Sequence, residues 1–464
     1  MYGRIAAAVR LGFLRPTMPH RALAAVGARS LVTKAETGHY QPPVLSTHRM
    51  PTTSKLEFVP ANAFDGIPMY SILNKSGRLA DGVEEPQLDK DLLVRMYSKM
   101  VQMNIIDQIM YESQRQGRIS FYMTHYGEEG VLMGSAAALD DKDLVFVQYR
   151  EYGVLLWRNF SVNQTMQQCY STMHDYGKGR QMPIHYGSTE HHFVTVSSTL
   201  ATQMPQAVGT AYAYKLAQKK QCVACYFGDG AASEGDAHAS FNFAGVLGTP
   251  IIFICRNNGY AISTPTHEQY SCDGIAARGP SYGLTTVRVD GQDVLAMYTA
   301  VQEARRFVME QQKPVLIEAM TYRWRHHHTV TVPYRSHLHA VAFGIAAQCI
   351  FICTTSSALR SDSVCVHANK SEQAEAPQKS IYAGTSGCSF LLPQLITWSS
   401  CAVWPVLQNV KEVEKVLKPP VSDLFTDVYK DMPAHLRDQM TYMLNHVQQY
   451  KEGYPVDLYA KEES

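Results

Sequence analysis

Apolar positions first settle into a regular period at residue 91. Leu92, Leu93, Met96, Tyr97, Met100, Met103, Ile106 and Met110 share one face of an amphipathic helix over 91–116. From 120 to 325 the period alternates. Short apolar runs at Leu144–Gln148, Cys222–Phe227, Ile251–Cys255, Thr285–Val289 and Val315–Ala319 read as strands, with helical stretches such as 205–218 and 292–311 between them. Strands alternating with helices of this length predict βαβ units, hence an α/β fold with a parallel sheet flanked by helices over 91–328. Upstream, 36–90 mixes Pro, Gly and short apolar stretches and reads as an extended N-terminal arm. Downstream, 329–408 is rich in Ser, Thr, Cys and His, poor in charge and without clear period. Order is expected to return over 409–464, a C-terminal helical segment in which Leu436, Met440, Met443, Leu444 and Val447 mark one apolar face. No internal repeat is visible.

Composition changes this picture little. A chain of 464 residues that is 45% hydrophobic and 18% charged has ample core, and a net charge of +1 gives no reason to expect nucleic acid or an acidic membrane as partner. The longest apolar candidate, Ala340–Cys353, contains Gln348 and falls short of the roughly 18 residues a membrane span needs. Residues 1–35 stand apart. Arg4, Arg10, Arg15, Arg21 and Arg29 recur among Ala, Leu and Val, and the first acidic residue is Glu36. That pattern reads as a mitochondrial transit peptide rather than a basic tail, and it implies a reducing matrix in which the ten cysteines stay unpaired.

Candidate chemistry sits in one strand–helix–strand unit. The run Cys222–Phe227 ends in Gly228-Asp229-Gly230, and the run from Pro250 to Cys255 ends in Arg256-Asn257-Asn258-Gly259-Tyr260. A right-handed crossover puts both strand ends on one edge of the sheet, where open α/β folds bind ligands. Asp229 and Asn258 can then converge on one hard cation that takes oxygen ligands. A helix opening near Ala231 points free amides at a phosphate, and Arg256 is placed to add a charge-assisted contact. Gly-Asp-Gly alone would be an ordinary strand-end turn. Followed by Asn-Asn after 26 intervening residues, it is the signature of thiamine-diphosphate enzymes, with magnesium bridging protein and diphosphate. Cys222 and Cys225 suggest a redox pair, but strand alternation would bury both and no helix N-terminus activates them.

These motifs extend into a wider resemblance. Tyr111-Glu-Ser-Gln-Arg-Gln-Gly-Arg-Ile-Ser-Phe-Tyr-Met-Thr124, Gly179-Arg-Gln-Met-Pro183 and Arg256-Asn-Asn-Gly-Tyr-Ala-Ile-Ser-Thr264 resemble alpha subunits of the decarboxylase component of the mitochondrial branched-chain 2-oxo acid dehydrogenase complex. The resemblance covers about 45–328 and resumes near 409–464. The related pyruvate dehydrogenase alpha subunits share the magnesium unit but lack the Gly-Arg-Gln-Met-Pro stretch, which makes pyruvate the weaker substrate. The resemblance implies a thiamine-diphosphate-binding fold and oxidative decarboxylation of branched-chain 2-oxo acids, with acyl transfer to a lipoyl group. It also implies that Tyr149, Arg150, Ser198, Gly230, Ala231 and Arg256 contact the cofactor, and that Asp229, Asn258 and the carbonyl of Tyr260 bind magnesium. Ser197, Thr199, Thr202 and Gln203 match a loop holding a structural potassium ion, and His327 a catalytic histidine on a loop that closes over the cofactor. The activating glutamate of such enzymes belongs to a beta subunit. An alpha2-beta2 heterotetramer docked on a lipoyl transacylase core is therefore expected, in the mitochondrial matrix.

The pattern departs after residue 325. The family continues past the loop histidine with a serine that is phosphorylated and an acidic pair; here His328 follows His327, and Thr329-Val-Thr-Val-Pro follow. Regulation through that serine is expected to be absent. Residues 329–408 read as mis-spliced or disordered sequence, with a genuine insertion as the rival; a non-catalytic variant is the alternative function. Adjacent histidines 326–328 lack the ligand spacing of a zinc site.

Overall fold

The computed structural model describes residues 39–40, 50–51, 53–60, 63, 65–74, 77–323 and 392–461, the last from residue 403 onward with side chains. The described residues up to Ala63 belong to a unit of their own, in which β1 (His39–Tyr40) pairs antiparallel with β2 (Met50–Pro51). Residues 1–35, read as a transit peptide, His327 and most of 329–408 lie outside the described residues.

In the second unit, six parallel strands make one sheet in the order β3-β9-β10-β6-β5-β4. They are β3 (Met69–Tyr70), β4 (Leu144–Phe146), β5 (Val223–Gly228), β6 (Ile251–Asn257), β9 (Thr285–Asp290) and β10 (Val315–Met320). The short β7 (Tyr260–Ala261) and β8 (Thr264–Pro265) pair antiparallel just past β6. In chain order the helices are α1 (Lys90–Arg115), α2 (Glu129–Ala138), α3 (Tyr152–Trp157), α4 (Val162–Cys169), α5 (Gln203–Leu216) and α6 (Gly235–Leu247). There follow α7 (Thr266–Gln269), α8 (Arg278–Ser281), α9 (Val294–Gln311), α10 (Leu392–Val413) and α11 (Ala434–Gln449). Every strand read from an apolar run is present, ending within two residues of the expected position, and so are the helices at 91–116, 205–218 and 292–311.

The strands are apolar almost without interruption because both faces are covered. Tyr226, Ile252, Ile254, Val289 and Ile317 face a core shared with α1, α2 and α9. Val223, Phe227, Phe253 and Leu316 face a second core, with Met204, Ala207, Phe241 and Ala244 of α5 and α6. Cys222 and Cys225 go to opposite cores, each with no exposed surface, and burial pushes both thiols well above the usual range. They are core residues. The carboxylate of Asp293 caps α9 by accepting from Leu295 and Ala296 N–H, and its other oxygen accepts from Ile72 and Leu73 N–H. Part of the region read as an extended arm is thereby fixed as an edge of this unit, with β3 parallel to β9.

Two features add to the sequence reading. Order returns at Leu392, well before 409, with α10 carrying Val406, Val410 and Val413 into the core against α1 and α4. Pro405 lies inside this helix. The apolar face of α11 is present as read, yet no residue of that helix is buried. No helix among the described residues is long and apolar enough to cross a membrane.

Candidate functional site

Parallel pairing aligns the carboxyl ends of β5 and β6, with Gly228 opposite Arg256. Asp229 and Asn258 therefore leave the sheet side by side. Alternation then separates the two asparagines. Asn257 turns inward, its Nδ2 donating to Glu318 Oε1 at 2.8 Å and to the Tyr270 hydroxyl at 2.9 Å. Asn258 turns to the strand-end crevice, where its Oδ1 accepts from Tyr260 N–H at 3.2 Å and so fixes the turn that brings the Tyr260 backbone alongside.

Asp229 is 2% exposed and accepts from Gln269 Nε2 at 3.1 Å. Burial is the main force raising its carboxyl above the ordinary range, and the Gln269 bond offsets only part of this. A carboxylate in this position is suited to a cation. Gly230 lies so close to the β7 turn that a Cβ there would come within 2.7 Å of Ala261 Cβ. The α-helix expected near Ala231 opens later: Ala231–Ser233 form a single 3-10 turn, Glu234 is extended, and α6 starts at Gly235.

The cations are arranged less simply than the sequence suggests. Arg256, read as a diphosphate contact, is 1% exposed and held between two buried carboxylates. Its Nε and Nη2 donate to Glu151 Oε1 at 2.6 and 2.5 Å, and its Nη1 pairs with Glu128 Oε2. Glu128 also accepts from Asn258 Nδ2 at 2.6 Å. Burial works to raise the Glu128 carboxyl, but Arg256, Arg150 and the Asn258 amide together hold it below the usual carboxylate range. Glu151 accepts Gln148 N–H at 3.0 Å, and Gln148 Oε1 accepts Gly228 N–H at 2.9 Å, so the network returns to β5. Arg150 is different. Its Nη1 donates to the Thr124 carbonyl, but its Nη2 is buried with no partner among the described residues. Its guanidinium stands 5.8 Å from the centre of the half-buried Tyr149 ring. A buried, incompletely bonded guanidinium beside a strand-end crevice is a place for an anion.

Beside this crevice the 197–203 loop brings its polar groups together. Thr202 Oγ1 donates to the Thr199 carbonyl at 3.0 Å and lies 3.2 Å from Ser197 Oγ. Gln203 Nε2 donates to the Tyr226 carbonyl at 3.0 Å, which turns its Oε1 away from β5. The oxygens expected to face a potassium ion thus occupy one turn, at the N-terminus of α5. Ser198 lies in the same loop, its Oγ 2.6 Å from His185 Nε2. Because His185 Nδ1 faces the Pro183 carbonyl at 3.1 Å, that nitrogen donates, and in the neutral ring Nε2 accepts from Ser198. The Gly179–Pro183 stretch is thereby joined to the Ser198 loop.

Glu128, Glu151, Gln148, Gln269 and His185 were not singled out in the sequence. The one available signal was the pair Glu128-Glu129 heading an otherwise apolar helix. Among the described residues no group of three or more His, Cys, Asp or Glu is placed to hold a metal. The Asp229, Asn258 and Tyr260 set draws two of its three oxygens from an amide and a backbone carbonyl, donors outside that description.

Residues 97–340 match the family described as Dehydrogenase E1 component. Among curated relatives, a mitochondrial 2-oxoisovalerate dehydrogenase subunit alpha of Bos taurus is 49% identical over 409 residues, covering 88% of this chain and 84% of its own length. The subunit of the same name in Caenorhabditis elegans is 47% identical over 420 residues, 90% of this chain and 91% of that one. A subunit alpha 2 from Arabidopsis thaliana is 40% identical over 410 residues, 88% of this chain and 81% of its own.

Proposed function

The chain belongs to the dehydrogenase E1 component family, and from that premise we propose that it is the alpha half of a mitochondrial thiamine-diphosphate-dependent 2-oxo acid dehydrogenase acting on branched-chain substrates. The observation that carries the proposal is the pairing of Asp229 and Asn258 at adjacent parallel strand ends, beside Arg150, whose buried Nη2 has no partner among the described residues. Those groups fit a magnesium diphosphate. The buried Asp229 carboxylate, whose hydrogen-bond partner Gln269 is neutral, would gain a cation in direct contact, and Asn258 and the Tyr260 carbonyl would add neutral oxygens. Arg150 Nη2, with the backbone at Gly230 and Ala231, would hold the diphosphate. Three of the five N–H groups of Arg256 point at Glu128 and Glu151, so Arg256 acts chiefly by holding those carboxylates and adds at most its remaining N–H groups.

When bound, thiamine diphosphate supplies the nucleophile and electron sink for decarboxylation of a 2-oxo acid. This chain's residues bind and orient. Ser198, held by His185, would set a polar edge of the pocket. The Ser197, Thr199, Thr202 and Gln203 oxygens would hold potassium and fix that loop, and His327, outside the described residues, keeps the catalytic role that the resemblance implies. Activation of the cofactor falls to a beta subunit in an alpha2-beta2 assembly, and a lipoyl transacylase accepts the acyl group. The relatives' names favour the branched-chain reading over a pyruvate-specific one.

Decarboxylation by the full chain assembled with its beta subunit tests this. Turnover should require both thiamine diphosphate and magnesium. It should favour 2-oxoisovalerate over pyruvate by roughly 10-fold or more, since each methyl group in a shaped pocket is worth that order of discrimination. Equal turnover of pyruvate, or none of either acid, would sink the proposal.

A further inference from the structure

The loop ahead of α2 inserts a carboxylate between the two groups on which the end of β6 depends. Glu128 is 1% exposed; its Oε1 accepts from Asn258 Nδ2 at 2.6 Å and its Oε2 pairs with Arg256 Nη1. A carboxylate paired with a guanidinium only accepts, so it selects the nitrogen of the Asn258 amide. Selecting the nitrogen turns Oδ1 to the opposite side, where Tyr260 N–H meets it at 3.2 Å and a second lone pair remains. This orientation matters because a hard cation takes oxygen, and an amide free to turn over would present nitrogen in its place.

We propose that Glu128 is a positioning residue that fixes the Asn258 amide with its oxygen turned to the metal. Arg256 fixes Glu128 in turn, and Glu151 fixes Arg256 from the far side, accepting at 2.6 Å from Nε. The result is one buried chain, Glu151–Arg256–Glu128–Asn258, running from the end of β4 to the end of β6. Sequence separations of 105 and 128 residues between Arg256 and its two carboxylates show that the chain exists only in the folded sheet. The inference rests on reading Asp229 and Asn258 as magnesium ligands. Removing an outer-shell partner of this kind costs about 10–100-fold in metal affinity.

The test uses the full chain assembled with its beta subunit and stripped of metal. Mn²⁺ serves as the probe at saturating thiamine diphosphate, with free ion read by its electron paramagnetic resonance signal. The unsubstituted protein should show one saturable site per chain that needs thiamine diphosphate; its absence would remove the reading of the site itself, and this inference with it. Given that site, Glu128→Gln should raise the half-saturation concentration about 10–100-fold at unchanged stoichiometry. Half-saturation equal to the unsubstituted protein overturns the proposal, and so does a fall in stoichiometry alone, which would mark a purely structural residue. Should Glu128→Gln fail to assemble, Glu128→Asp decides. It keeps the charge for Arg256 but draws the acceptor back from Asn258, so a several-fold rise supports the proposal and unchanged half-saturation overturns it.

Discussion

Glu128 and Glu129 are chain neighbours, both buried, and their electrostatic situations are opposite. Glu128 meets Arg256 and stays charged. Glu129 has no side-chain cation in contact among the described residues; burial pushes its carboxyl up to about 8 from an ordinary 4.5, with the Glu129 and Gly127 N–H groups offsetting part of that and the nearby Asp107 adding to it. Its folded pKa is raised, so its contribution to stability is fully present below about 4.5 and is lost as pH rises towards 8. Glu129→Gln keeps the side chain neutral throughout and presents an NH2 where the protonated carboxyl presents its O–H. The variant should therefore gain on the unsubstituted chain as pH rises through that window, by up to about 4 kcal/mol at pH near 8. Denaturant unfolding at several pH values reads the difference. Parallel pH profiles for the two proteins would show that Glu129 is ionised in the fold.

At the scale of elements, α2 carries Glu128 at its N-cap and is held by unusually close packing on α9. A Cβ built on Gly134 would lie 2.6 Å from the Val294 carbonyl oxygen and 2.7 Å from Met297 Cβ; one on Gly130 would lie 2.7 Å from the Gly291 oxygen. The obstacles include backbone, which cannot step aside. Gly134→Ala should cost about 1–3 kcal/mol by overpacking. In contrast, Gly209 in α5 has nothing within 4 Å of its Cβ position, and Gly209→Ala should be neutral or stabilise by about 0.4–1 kcal/mol. Melting temperatures of the two variants distinguish these cases, and equal shifts would contradict the packing argument. The elements were legible where burial is nearly uniform: runs such as Ile251–Cys255 can only be interior strands. The start of α10 was not legible, because the stretch before Val406 has neither charge nor period to announce it. Nor was the role of Arg256, whose carboxylates lie over 100 residues away in sequence. The Asp229 and Asn258 pair was readable because strand ends in a parallel sheet are placed by topology alone.

Across the whole molecule the candidate site gathers the 124–128 loop, the end of β4, the 197–203 loop, the ends of β5 and β6, and Gln269. Arg150 Nη2 is left unbonded there among the described residues. A magnesium diphosphate that engages them together stabilises the folded chain by mass action, about 2.7 kcal/mol at a ligand concentration 100 times its Kd. Two ligands acting through one site make a specific expectation. Thiamine diphosphate alone, in the presence of a chelator, should leave the melting temperature of the assembled protein almost unchanged. Magnesium alone should do little more, since Asp229, Asn258 and the Tyr260 carbonyl supply only three of the six oxygens the ion requires. The two together should raise the melting temperature by several degrees, and chelation should return it to the apo value. An equal rise with thiamine diphosphate in chelator would mean that the diphosphate is held by Arg150 and the backbone without a metal. In that case the convergence of Asp229 and Asn258 would have to be explained as structure alone, and the Gln269 bond to Asp229 would be the first interaction to dissect.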